Sequence, residues 1–266
     1  CSFSSRASFV LLPMEAGGQQ NHLKAYGITY WALDKSYKVS WLLNYRGGSF
    51  LLPDAPEIRK ECQIRGVTFE VLSDAATNTI LEDISSPSQN METVVLEKAP
   101  KIAVYTPKGK QPWDDAVTMV LTYAEIPFTE VYDEEVLSDQ LLLYDWLHLH
   151  HEDFTGQYGK FFGNYRSTPW YIQQKAEAEA LAKKLGYNKV SEEKLAVAKK
   201  IRDFVIGGGF MFAMCSATDS FDIALSAEGV DICEPMFDGD DSEANYQTRI
   251  DYTSTFAFKD YKLERN

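Results

Sequence analysis

The apolar residues of this chain fall into short runs and helical stripes that alternate along most of its length. Runs at 8–12, 38–43 and 67–72 read as strands. Between and after them, 19–33 carries Leu23, Tyr26, Tyr30 and Leu33 at helical spacing, and 75–84 reads as a second helix. Both halves of the chain therefore have a βαβ rhythm. The polar, turn-rich stretch Ser85-Ser86-Pro87-Ser88-Gln89-Asn90 interrupts it and marks a boundary. This predicts an N-terminal α/β region over 1–85, a linker over 86–100 and a larger domain over 101–266.

In the larger domain a short apolar run at 101–105 ends in Thr106-Pro107-Lys108-Gly109, a strand and a turn. Pro112-Trp113-Asp114-Asp115 opens a helix, continued by Val117, Val120, Leu121 and Ala124. Strands follow at 128–132 and 144–150, then helices at 171–185 and 191–205, the second capped by the Ser191 hydroxyl. The apolar run 210–214 is the next strand, and a helix through Ile223, Leu225 and Ala227 comes after it. Strands alternating with helices predict a doubly wound, mainly parallel sheet, with strands 101–105, 128–132, 145–150 and 210–214 adjacent. In such sheets, sites form at the carboxyl ends of the strands.

Two features sit at such ends. The first is Cys215, between the apolar strand and the next helix. A cysteine on a sharp turn there exposes its sulfur, and the N–H groups at a helix start favour the thiolate. That is the geometry of a nucleophile elbow, with the backbone at Ser216 as oxyanion donor. The plainer reading is a buried structural cysteine. The second is His148-Leu149-His150-His151-Glu152-Asp153, which holds three of the chain's four histidines. On a strand, His148, His150 and Glu152 point to one face, and His151 and Asp153 to the other. Such alternation can hold a transition metal, so His148, His150 and Glu152 form a candidate metal set for a metal-dependent hydrolase. The plainer reading has histidines satisfying local hydrogen bonds and carboxylates capping the next segment. No other cofactor motif is present.

The order "KIAVYTP", helix, "FTEVYD", "LLLYDWLHLHHEDF", helix, "VAKKIRDFVIGGGFMFAMCSATDS" resembles the class I glutamine amidotransferase-like superfamily over about 101–235. The resemblance implies a flavodoxin-like sheet and a Cys-His-Glu triad. It also implies that the loop carrying His150 and His151 faces the nucleophile. Cys215, His150, His151 and Glu152 are then the candidate catalytic residues, for amide hydrolysis or acyl transfer on a small-molecule or amide substrate. Two departures stand out. Ala213 and Ala217 flank the elbow where the family has glycines, and alanine disfavours the positive φ angles that glycine allows. The family's His-x-Glu follows its nucleophile, whereas here no histidine follows Cys215. The usual triad is absent, completed by a histidine from elsewhere in the fold, or lost with a truncated C-terminus. The alternative function is a non-catalytic exported binding or scaffold protein that keeps the fold.

Over its whole length the chain also resembles exported bacterial proteins labelled "asparagine synthetase B-like", through "NHLKAYGITYW", "WLLNYRGGSF" and "HLHHEDFTGQYGKF". That activity is not expected. Asparagine synthetases begin Cys-Gly-Ile, whereas this chain reads Cys1-Ser2-Phe3, and it has no Ser-Gly-Gly-x-Asp pyrophosphate loop. A Cys-Ser start instead matches a mature lipoprotein. The rival reading takes 1–7 as the tail of a cut signal peptide. Both point to export, periplasmic or anchored by a lipid on Cys1.

Composition narrows the partners. At 266 residues and 45% hydrophobic, the chain can bury a substantial core. A formal net charge of -13 argues against nucleic-acid binding. The late acidic run 238–243 lacks EF-hand spacing and reads as a solvated loop. Asn44-Tyr45-Arg46-Gly47-Gly48-Ser49 follows a strand and can cradle an anion, although a plain turn explains it better. The spacing of the four cysteines, Cys1, Cys62, Cys215 and Cys233, suggests no disulfide framework.

Overall fold

A computed structural model describes residues 9–107, 116–157 and 162–264. The chain divides into two compact units, one of 1–100 with 116–127, the other of 101–115 with 128–266. The lipid-bearing role read for Cys1 and the helix start at Pro112 lie outside the described residues, as does the end of the turn at 106–109. Among the described residues no helix is long and apolar enough to cross a membrane.

The first unit is built on β1 (Phe9–Leu12), α1 (His22–Asp34), β2 (Val39–Leu43), β3 (Ser49–Pro53), α2 (Pro56–Arg65), β4 (Glu70–Leu72), α3 (Asp74–Ile84) and β5 (Glu92–Leu96). Its sheet has the order β4-β1-β3-β2-β5, and every neighbouring pair is antiparallel. The βαβ rhythm read for this half is therefore not a parallel arrangement. Only residues 44–48 separate β2 from β3, too few for a parallel crossover. Asn44, Arg46, Gly47 and Gly48 all have positive φ there and turn the chain back on itself. The stretch 86–100, read as a linker, contains β5, which pairs with β2. Val10, Leu12, Phe50 and Leu52 pack with Ala25, Ile28 and Ala32 of α1 and Ile58 of α2. Leu11, Leu42 and Leu51 pack with Ile84 of α3. A fourth helix, α4 (Ala116–Ala124), belongs to this unit although it follows the first strand of the other. It lies against α1 at Gly27, where an added Cβ would come 1.8 Å from the Ala124 carbonyl oxygen.

The second unit contains β6 (Ile102–Tyr105), β7 (Phe128–Val131), α5 (Asp133–Leu137), β8 (Trp146–Leu149), α6 (Phe162–Tyr165), α7 (Pro169–Lys184), α8 (Val190–Ile206), β9 (Phe210–Ala213) and α9 (Ser216–Ser226). Its four strands form one parallel sheet in the order β7-β6-β8-β9, as the alternation of strands and helices predicted. Ile102, Trp146 and Phe210 stand in register, as do Val104, His148 and Phe212. On one face Ala103, Tyr105, Leu147 and Leu149 pack with Val197, Ala198, Ile201 and Phe204 of α8 and with Ala217, Phe221, Ala224 and Leu225 of α9. Ser191 does not cap α8. The helix starts one residue earlier, and the Glu192 carboxylate accepts from the Lys189 N–H (3.3 Å).

Candidate functional site

The approach to Cys215 is set by three glycines. After α8 ends at Ile206, Gly208 turns at φ 104°, and Gly209 sits against the Phe204 ring. A Cβ on Gly209 would lie 2.3 Å from that ring, so a side chain there displaces Phe204. β9 then runs parallel to β8, with Phe212 opposite His148 and Ala213 opposite Leu149. The Met214 N–H donates to the Leu149 carbonyl (3.0 Å), which carries the pairing to the strand's end.

Cys215 follows at φ 50°, ψ -135°, as the N-cap of α9. A side chain rarely adopts this backbone conformation, and such strain clusters at functional sites. The positive φ falls on Cys215 itself, while neither Ala213 nor Ala217 has one. Glycine is therefore not required at either flank, and Ala217 instead fills the core beneath α9. The Cys215 thiol is exposed, whereas Cys62 and Cys233 are buried free thiols. Burial pushes both of those thiols up to about 12. The Ser216 N–H makes no hydrogen bond among the described residues, as is usual for the first amide of a helix.

The loop after β8 is fastened to the start of α9. The His150 carbonyl accepts from the Ala217 N–H (3.3 Å), and the His151 carbonyl from the Ser216 hydroxyl (2.7 Å). The Ser220 hydroxyl lies 3.0 Å from the Glu152 carbonyl. Backbone contacts thus bring 150–152 against the turn that carries Cys215. The His150 and His151 rings lie against each other, tilted by 31°, with centroids 3.6 Å apart. The Glu152 carboxylate accepts from the His150 N–H (2.8 Å). Asp153 caps the next segment, its Oδ1 accepting from the Thr155 N–H (2.7 Å). His148 is buried within β8 and stacked on Phe212, and its ring centroid lies 6.2 Å from that of His150.

His148, His150 and Glu152 are not brought together as a metal set. Among the described residues the three ligand groups whose donor atoms lie within 4.8 Å of one another are Asp231, Asp238 and Asp240. Those carboxylates surround the Lys189 ammonium at 2.7, 3.0 and 2.6 Å. A cation is already there, supplied by the chain. Burial alone would lower the Lys189 pKa, but its hydrogen bonds to Asp231, Asp240 and Asp238 raise it well above the usual value. The anion cradle at Arg46 is likewise filled, since the guanidinium is held by Glu15 and Glu70 at 2.5 and 2.8 Å.

Two polar constructions were not foreseen. At the carboxyl ends of β6 and β7, the Lys194 ammonium binds both Asp133 oxygens (2.7 and 2.6 Å) and the hydroxyls of Tyr105 (3.1 Å) and Tyr132 (3.2 Å). Tyr105 also donates to Asp133. Glu193 is buried beside them, and burial pushes its carboxyl up to about 8, with Lys194 opposing and Asp133 adding to the rise. Phe154 stacks on Tyr105 and packs edge-on to Phe221 of α9, so the loop that carries the histidines also borders this cluster. The second construction is Asp222 of α9, whose carboxylate accepts three backbone N–H groups of the C-terminal segment. Compared with models of protein families, with curated proteins and with solved structures, the chain matches none.

Proposed function

We propose that this protein is a cysteine-dependent amide hydrolase or acyl transferase of the class I glutamine amidotransferase-like kind, with Cys215 as nucleophile. The observation that carries the reading is the backbone of Cys215: φ 50°, ψ -135°, on an exposed thiol between a parallel strand and an 11-residue helix. The strand order, with β6 flanked by β7 on one side and by β8 then β9 on the other, supports a flavodoxin-like sheet. In that arrangement the switch-point crevice lies between the ends of β6 and β8, and β9 with Cys215 ends beside β8.

The chemistry follows from these positions. The Cys215 thiolate attacks an amide carbonyl, and a sulfur–carbon bond forms. The open Ser216 N–H takes up the developing oxyanion at the helix start. His150 or His151, on the loop bound to α9, delivers the proton with which the amine leaves as the C–N bond breaks. Water or a second amine then releases the acyl group. Glu152 sets the backbone of His150 through its N–H.

The test is a burst of nitrophenol from p-nitrophenyl acetate, which reports acyl-enzyme formation without knowledge of the natural substrate. Cys215→Ala should abolish the burst, and His150→Ala and His151→Ala should show which histidine speeds it. A burst that survives Cys215→Ala refutes the reading. The second reading, a non-catalytic binding protein on the same fold, is favoured by the lack of any histidine after Cys215. It predicts no burst from the wild type.

A further inference from the structure

We propose that the open edge of β9 is a strand-addition site for an extended, uncharged polypeptide segment of a partner protein, laid down beside Cys215. The first ground is the backbone. The Phe210 N–H donates to the Asp145 carbonyl (2.9 Å) and the Met214 N–H to the Leu149 carbonyl (3.0 Å), so these residues face β8. Along a strand the direction alternates. The N–H and C=O groups of Met211 and Ala213 therefore point away from β8, where they make no hydrogen bond among the described residues. Donors and acceptors at that spacing are matched by another extended backbone.

The second ground is charge. Proteins protect edge strands with charged residues. The other three edges do so: β4 carries Glu70, β5 Glu92 and β7 Glu130. β9 does not, and residues 204–218 contain no charged residue in a chain of net charge -13. Its side chains are left open as well, with Phe210 59%, Phe212 46% and Met214 38% exposed.

The third ground is size, which selects the occupant. At roughly 200 Å² per large side chain these exposures leave about 300 Å² of apolar surface. A stable dimer buries about 800 Å² on each partner. The edge is too small for a second copy and suits a single short strand. Since β9 leads directly to Cys215, the docked segment passes the thiol. That it supplies the attacked carbonyl rests on the reading of Cys215 given above, whereas the docking does not.

The experiment uses a fluorescein-labelled hexapeptide of alternating valine and threonine, followed by anisotropy against the whole protein. A copy N-methylated at every residue serves as the control. Saturable binding of the first peptide and none of the second is expected. Ala213→Pro removes one edge N–H in a strand position that tolerates proline, and Phe212→Lys supplies the missing charge. Each should weaken binding about tenfold, the equivalent of one net hydrogen bond. Phe212→Lys also gives up the stacking on His148 and should lower the melting temperature slightly, while neither variant should change the rate at which iodoacetamide alkylates Cys215. No saturable binding, equal binding of the N-methylated peptide, or equal binding by both variants overturns the proposal. So does a wild-type dimer in light scattering that Phe212→Lys converts to monomer, because a second copy then holds the edge. Rapid alkylation of Cys215 without peptide binding sinks the docking site alone. Peptide binding with a sluggish Cys215 sinks only the nucleophile.

Discussion

Replacing Asp222 should detach the C-terminal segment from α9. Its Oδ1 accepts from the Phe256 N–H, and its Oδ2 from the N–H groups of Ala257 and Phe258, all at 2.8 Å. The side chain is buried, at 1% exposure. Hydrogen bonds to a charged group contribute about 1.5–3 kcal/mol each. The full sum is not lost in Asp222→Ala, because Phe256 and Phe258 are exposed and their amides regain water once the segment lifts. With water recovering part of three such bonds, we expect a net loss of about 3 kcal/mol. For a unit of this size that lowers the melting temperature by about 6–12 °C. Asp222→Asn keeps the shape but turns an NH₂ group toward at least one amide donor, so it should fall between wild type and Asp222→Ala. Limited trypsin digestion supplies a second readout, with cleavage after Lys259 and Lys262 appearing first in the variant. The reasoning fails if Asp222→Ala stays within the ~0.5 kcal/mol of a neutral surface substitution and the tail is cut no faster.

Further outcomes follow from the same geometry. Under native conditions a maleimide should modify Cys215 and spare Cys62 and Cys233, which are buried with pKa values near 12; mass spectrometry of the labelled peptides decides. Glu193 has a folded pKa of about 8, above its unfolded value of about 4.3. Its contribution is thus fully present below the unfolded value and is lost as pH rises through the folded one. Glu193→Gln should flatten that decline in melting temperature between pH 5 and pH 9, and an unchanged profile would count against it. Gly27→Ala drives a methyl group into the Ala124 carbonyl and should cost about 1–3 kcal/mol, while Gly163→Ala meets nothing within 4 Å and should be neutral in the same melts. Cys215→Gly should be more stable than Cys215→Ala by about 1–3 kcal/mol, since glycine alone relieves the positive φ; equal melting of the two would mean the strain is not there.

Sequence and structure meet most closely in the second unit. The runs at 101–105, 128–132 and 210–214 become β6, β7 and β9 within about one residue, because buried parallel strands are nearly continuous apolar runs. The first unit was harder. Ser49–Pro53 is also apolar, but it follows two glycines that read as a turn, which hides β3 and with it the antiparallel pairing. Glu92–Leu96 alternates weakly and carries Glu92, the pattern of an exposed edge, and so reads as part of a linker. The buried polar cluster did have a signal. Val190, Val197, Ala198, Ile201 and Phe204 form the apolar stripe of α8, and stepping back three and four residues from Val197 lands on Lys194 and Glu193. Charged residues on a core stripe must find partners inside. The grip of Asp222 on 256–258 had no comparable signal, because it joins a helix to an irregular segment through backbone groups that every residue possesses.

The strained turn is the point at which local economy and the candidate site diverge. Glycine would adopt φ 50°, ψ -135° without cost, and three glycines stand only a few residues upstream. At the two flanks, where glycine might have been expected, the chain carries alanine and the backbone is relaxed. A side chain is thus kept at the one position of the elbow where it is unfavourable, and that side chain is an exposed thiol. The surroundings hold the conformation in place. Met214 is anchored to Leu149, Ala217 is pinned between the His150 carbonyl and the core, and Ser216 is tied to His151. These contacts over-determine the turn, which is the condition under which strain persists in a native fold. They are also the contacts that bring the histidine loop to the thiol. The hydrogen bonds that hold the strained turn are also those that hold the loop after β8 against α9, so weakening that loop should relax the backbone of Cys215.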